Sequence, residues 1–506
     1  MKPLRPHDPA DLAQIDRLIA QQRSSEALRL AEAFVAKQPK NAAGYGAAAR
    51  AAIPLGRLSR AAELVDRGLR LAPNDPSLNL LRGIVDHRLG HSAAAIERLS
   101  ALLARATANE VEVGIALAEA LHRSGRRAEF ERLVAAGGRW TTDERASVFR
   151  ARAMLASDRA RAIDELVRTT HDSRNPVLRR VTGFEAVRLL DQDGRYREAF
   201  DLATLVHRET TPPFDVGAIE SEVEEQLRLL EKGRAWFTPQ GPRAERTAFV
   251  VGLPRSGTTL LEQMLDRHPL VGGIGEYEGA LAMYDALVGL GLWPAGLRSL
   301  SKADAERLGS EYLAGARERM PAGAGVSAGA NTGANTGALT GSTDERVSFD
   351  KTLHVWRLLP VIAAVLPGAA LVHIARDPRD TAISMHLSNF HPRSWGFTAS
   401  LPAIRRVIAL ERRVVPKAFE VLGLRAASVR YEDLVDHPER EIRRVLETLG
   451  VPFDPVVLAP EQNARTVLTL SHEQVRRPIN RASIGRWRNY AFAFGPEWDA
   501  LADAPG

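Results

Sequence analysis

The sequence predicts two folds in one chain: an all-helical solenoid over residues 1–235 and, after a linker at 236–245, an α/β domain over 246–500 built on a central parallel sheet. Three observations carry that expectation. A 34-residue period runs through the first part, where Ala27, Ala61 and Ala95, Leu55-Gly56 and Leu89-Gly90, and Pro39 and Pro73 recur at that spacing. The second part opens on Ala248-Phe249-Val250-Val251, apolar and of strand length, then a turn from Gly252 to Gly257, then Leu260, Leu261, Met264 and Leu265 at helical spacing. Further short apolar runs downstream each lead into a helical pattern, the order expected of parallel strands joined by helices.

The period of the first part, with small residues where paired helices approach and a proline after the second helix, fits a helix-turn-helix repeat of the tetratricopeptide type. Such hairpins must stack, because one alone cannot bury its apolar side. Leu121 to Ala128 and Asp193 to Ala199 echo the turn, while the stretch through Trp140 and Asp158 drifts off the period, giving about five to seven hairpins. A stack of this kind offers a concave surface for a protein or peptide partner or for the acceptor, or serves as a scaffold or self-association arm. His87, His91 and His122 fall near turns and read as surface residues rather than metal ligands.

Composition bounds the function. A chain of 506 residues exceeds one core. No stretch approaches the ~20 apolar residues that span a bilayer, and MKPLRPHDPADLAQ contains no apolar signal segment. Cysteine is absent, which removes disulfides, thiolate metal sites and a cysteine nucleophile; the chain reads as cytoplasmic. The net charge of +6 favours anionic partners, but neither zinc-finger spacing nor aromatic-basic interleaving points to nucleic acid.

The turn after the first strand carries the chemistry. Strand, tight turn and helix direct backbone N–H groups and the positive end of a helix at one point, where an anion is held. Gly252 and Gly257 are spaced as in a nucleotide-triphosphate loop, yet Thr258 stands where that loop has lysine. The positive charge comes from Arg255, whose fork can grip two oxygens of a phosphate or sulfate, with Ser256, Thr258 and Thr259 adding hydroxyls. A kinase or ATPase loop with a substituted lysine, and a ligand-free structural turn, are the alternatives.

Beyond it, a short extended run ends at Gly275-Glu276, which places Glu276 at a strand end as the candidate general base, with Glu278 behind it. Residues 321–342 are almost all small and predict a disordered insertion, with a glycine-rich lid as the alternative. Asp350 and Lys351 follow another strand-like run; Lys351 is suited to neutralise charge on a transferred group, and His354 is a reserve base. The strand Ala369–Ala375 ends in Arg376, with Ser384 two helical turns on, a pair placed to meet a second phosphate. The strand from Ala426 leads to Tyr431, and the polar, arginine-rich Ser471–Tyr490 suits closure over a polyanion.

In this ordered set of motifs, over residues 246–495, the chain resembles a bacterial sulfotransferase with N-terminal tetratricopeptide repeats and a catalytic domain related to tyrosylprotein and carbohydrate sulfotransferases. The resemblance rests on Gly252 to Leu260, Gly275-Glu276, Asp350-Lys351, Arg376 to Ser384, Tyr431 to Leu434 and Ser471 to Trp487. It implies a P-loop-like sulfotransferase domain that moves a sulfuryl group from 3'-phosphoadenosine 5'-phosphosulfate (PAPS) to an acceptor hydroxyl or amine, releasing adenosine 3',5'-bisphosphate (PAP) and requiring no metal. Arg255, Ser256, Gly257, Thr258, Thr259 and Leu260 would cradle the 5'-phosphosulfate, and Arg376 and Ser384 the 3'-phosphate. Tyr431, Ser471, Arg481 and Arg486 would be further contacts, with Glu276, Arg255 and Lys351 catalytic. Asn480-Arg481-Ala482 stands where cytosolic sulfotransferases carry an arginine-lysine-glycine run, which favours the tyrosylprotein-like arrangement. A nucleotide-dependent phosphotransferase and a non-catalytic repeat scaffold are the rival readings.

Overall fold

The 34-residue period is a period of turns. Gly56, Gly90 and Gly125 adopt φ of 70°, 88° and 70° between consecutive helices, a left-handed conformation that a side chain would strain. Ala27, Ala61 and Ala95 are fully buried, each in the first turn of the helix that follows its turn: Ser24–Lys37, Leu58–Leu71 and Ser92–Leu103. Small residues recur because the helices approach closely; a Cβ on Gly83 would lie 2.7 Å from the Leu99 side chain. Asn41 and Asp75 cap the next helices, accepting from the N–H groups of Ala43 and Leu78.

The computed structural model describes residues 9–21, 23–105, 109–320, 345–463 and 478–503; the small-residue stretch at 321–342 and Ser471 lie outside them. The chain divides into two compact units, Met1–Leu189 and Leu190–Gly506. The first is helical throughout its described residues. In the second, the helices Tyr196–Thr210 and Val216–Leu230 precede the sheet, and Val223 and Leu230 share a core with Val407 and Val414 of the helix Leu401–Leu422.

The sheet consists of β1 (Thr247–Val251), β2 (Val271–Gly275), β3 (Val347–Asp350), β4 (Ala370–Ala375) and β5 (Arg425–Arg430), all parallel in the order β2-β3-β1-β4-β5. Helices cover both faces, so β1 is buried at every residue and reads as an unbroken apolar run. Phe249, Val251 and Leu371 pack with Trp356, Ile362 and Val407, whereas Ala248, Val250, Val372 and Ile374 pack with Leu261, Leu265 and Ile442. The N-terminal helical region followed by an α/β domain with a central parallel sheet is thus the architecture that the sequence predicts.

This strand order fixes where a ligand can sit. The chain leaves β1 toward β2 and leaves β4 toward β5, so the turns after β1 and β4 part in opposite directions and open a crevice between them. Those turns carry Arg255 and Arg376. Tyr431 differs from expectation in detail: it opens the helix Tyr431–Asp436, with extended Arg430 as its N-cap and the acidic Glu432 and Asp433 complementing the helix dipole.

Candidate active site

Gly257 ends the β1 turn as the N-cap of the helix Thr258–Leu265, with φ of 110°. A Cβ there would stand 2.5 Å from Cδ2 of Tyr431 and 3.0 Å from Cδ1 of Ile374, so the backbone reaches the β4 and β5 edges only because the side chain is missing. Arg255 has φ of 70° and is the only non-glycine residue with positive φ among the described residues. Such a conformation costs about 1–3 kcal/mol and persists where surrounding contacts impose it. Two contacts do so: Arg255 Nε donates to Ser384 Oγ at 2.8 Å, and the Arg255 carbonyl accepts from Arg376 Nη1 at 3.1 Å.

The two turns expected to hold separate phosphates therefore interlock. Ser384, read from the sequence as a partner of Arg376, accepts from Arg255 instead. Arg376 sits 4.9 Å over the Tyr431 ring, donates to the Ser483 carbonyl and lies 3.6 Å from Asp380 Oδ2. Its Nε is buried and has no hydrogen-bond partner among the described residues. Burial, and the neighbouring charges of Arg376 and Arg486, push the Arg255 guanidinium down to about 10. The guanidinium groups of Arg376 and Arg486 thus lie close enough to disfavour the charge on Arg255, an arrangement that a polyanion relieves.

Other expected ligands have their own places. Ser256 is buried and its hydroxyl donates to the Leu253 carbonyl at 2.8 Å, bracing the turn. Thr258 and Thr259 are buried at the helix start, and Leu260 packs on the core below. Arg486 donates to Asp191, which also accepts from the Tyr490 hydroxyl. Arg481 is exposed and paired with Asp436 at 3.3 Å. Arg379 pairs with Asp377 and Asp499 and covers the Trp487 ring at 3.9 Å.

Along the β2 and β3 edge, Lys351 Nζ donates to Glu276 Oε1 at 2.7 Å, with Glu262 Oε2 4.0 Å away. Lys351 is buried, while the Glu276 side chain keeps 52% of its surface, so this carboxylate is open to an incoming group. Behind them, buried Asp350 accepts from Tyr312 Oη, Thr352 N and Thr352 Oγ1 at 2.8, 2.9 and 2.7 Å. Burial pushes the Asp350 carboxyl up to about 6 against the opposing pull of those hydrogen bonds. His354 stacks on Trp395 with ring centroids 4.2 Å apart, and burial together with Arg357 lowers it to about 4, a packed rather than a basic imidazole.

Sequence reasoning missed Asp380, Asp191, Tyr312 and Glu262. Asp380 stands four residues after Arg376, a spacing at which such a pair can meet. Asp191 lies 295 residues from Arg486, and no local pattern announces that contact. Among the described residues, no group of three or more His, Cys, Asp or Glu side chains could hold a metal ion, and no helix is long and apolar enough to cross a membrane.

Residues 248–455 match the model of the Sulfotransferase family, and residues 18–83 match that of the Tetratricopeptide repeat. An uncharacterised protein of Aquifex aeolicus (strain VF5) is 27% identical over 331 residues, covering 63% of this chain and 41% of its own length. Protein-tyrosine sulfotransferase A of Caenorhabditis elegans is 26% identical over 244 residues, 47% of this chain and 60% of its own length. The chain thus spans less than two thirds of either relative. The sulfotransferase domain of the Synechococcus PCC 7002 olefin synthase aligns at 21% identity with a TM-score of 0.34, over 53% of this chain and 97% of that domain. The chain thus joins a region that matches the Tetratricopeptide repeat to one that matches the Sulfotransferase family and is similar, at low identity, to protein-tyrosine sulfotransferases.

Proposed function

We propose that the chain is a PAPS-dependent sulfotransferase that acts on an acceptor hydroxyl or amine, with Glu276 as general base. The observation that carries the reading is the meeting of Arg255, Arg376 and Ser384 at the β1 and β4 edges, a metal-free donor set for one ligand with phosphate groups at two positions. The buried Nε of Arg376 adds a donor without a hydrogen-bond partner among the described residues. Residues 255–260 would hold the 5' end, and Arg376 with Arg486 the 3'-phosphate; Tyr431 would flank the nucleoside. The donor supplies an electrophilic sulfur on a nucleotide leaving group.

Glu276 takes the proton from the acceptor at its exposed carboxylate. Protonation removes the nearer negative partner of Lys351, leaving Glu262 Oε2 4.0 Å away, and the ammonium can then face the anionic oxygens of the group in transfer. Arg255 provides the fixed charge on the other side. The acceptor is a protein tyrosine, a carbohydrate or a small molecule, and the repeats offer a surface for a protein or peptide. The site has arginine in the turn and threonine where a triphosphate loop has lysine, which disfavours an ATP-dependent phosphotransferase. Incubating the purified chain with PAPS and candidate acceptors in a chelator tests the reading: a mass gain of one sulfuryl group is expected. Transfer that demands ATP and magnesium would refute it.

A further inference from the structure

We propose that Asp380 is the positioning residue that delivers Arg486 to the anion site. The proposal rests on the reading that the guanidinium cluster takes an adenosine bisphosphate. Asp380 lies in the helix Pro378–His386, directly after the β4 turn, and its side chain is wholly buried. Each carboxylate oxygen has a separate task. Oδ2 accepts from Gly485 N at 2.7 Å and Oδ1 from Trp487 N at 2.8 Å, the two amides that flank Arg486 in the chain.

A residue clamped by the amides on both sides has its direction set by the backbone. Gly485, at φ of 71°, turns the chain so that both amides can reach one carboxylate. The same segment is held two residues earlier, where Arg376 donates to the Ser483 carbonyl. Placing Arg486 near Arg255 disfavours the charge on Arg255, which burial and its arginine neighbours lower. Rigid attachment by Asp380, together with the Asp191 contact on the guanidinium itself, offsets that repulsion. Asp380 touches no substrate; it acts chiefly through Arg486, and its Oδ2 also lies 3.6 Å from the Arg376 guanidinium.

The test is a double-mutant cycle on the full chain, with PAP binding read by calorimetry. Asp380→Asn keeps the shape but removes the second acceptor. Its affinity should fall roughly tenfold, about the effect of losing one hydrogen bond to a charged group. Arg486→Ala should fall by at least as much, and the double variant should bind within about twofold of Arg486→Ala alone. Unchanged affinity in Asp380→Asn, or losses that multiply in the double variant, would overturn the proposal. If Asp380→Asn does not fold, Asp380→Glu takes its place, because it keeps the charge but displaces the carboxylate. Weakened PAP binding at an unchanged Tm supports the role, and wild-type affinity refutes it. A wild type indifferent to PAP would sink the underlying reading of the site, and amide exchange then decides the clamp separately. Slow exchange at Gly485 and Trp487 that becomes fast in the Asp380 variant supports it, and equal exchange refutes it.

Discussion

Lys351 and Glu276 stand 2.7 Å apart at the ends of neighbouring strands, the ammonium 2% exposed and the carboxylate 52%. The pair is asymmetric in a useful way. A buried cation is costly unless it is paired, so Lys351 depends on Glu276 and on Glu262, while Glu276 keeps a face on which a proton can arrive. Binding and proton transfer are therefore separable in this site.

Glu276→Gln should lower kcat by about 10²–10⁴-fold, the usual contribution of a positioned general base. The amide oxygen can still accept from Lys351, so PAP affinity should remain within about twofold. Steady-state kinetics with a saturating acceptor, alongside calorimetry, check both halves. Turnover near that of the wild type would assign the base elsewhere.

Gly257→Ala should damage stability and nucleotide binding together. The new methyl would meet Tyr431 at 2.5 Å at a φ of 110°, so either the turn or the tyrosine must shift. A loss of about 1–3 kcal/mol in unfolding free energy is expected from backbone strain. Denaturant titration measures it, and an unchanged midpoint would show that the turn has room to relax.

Asp350 gives a pH dependence whose sign follows from its raised value of about 6. The folded state holds this proton more tightly than the unfolded chain does. Its stabilising contribution is complete below the ordinary aspartate range and is lost as pH rises through about 6. The fall in Tm between pH 4 and pH 7 should therefore be shallower in Asp350→Asn than in the wild type. Parallel curves would contradict this.

Much of the fold was legible because it is written in local patterns. The unbroken apolar β1, the glycine-bearing turn after it and the 34-residue recurrence of alanine each record a backbone requirement satisfied by nearby residues. The strand ends that carry Glu276, Lys351 and Arg376 were legible for the same reason. Pairings across long separations were not: Arg255 with Ser384 spans 129 residues and Arg486 with Asp191 spans 295. Such contacts depend on strand order, which periodicity does not encode. Arg481 shows the limit from the other side, since the arginine-rich tail resembled a single basic strap yet splits into an exposed Arg481 paired with Asp436 and a more buried Arg486 that also pairs with Asp191.

Discrimination between a nucleoside bisphosphate and a monophosphate rests on Arg376 as the reader of a second phosphate. Calorimetry of wild type and Arg376→Ala with PAP and with adenosine 5'-monophosphate tests this most directly. The wild type should prefer PAP, and the variant should lose PAP affinity on the order of 10–100-fold while changing less than about threefold toward the monophosphate. Equal losses for both nucleotides, or a wild type that does not distinguish them, would contradict it.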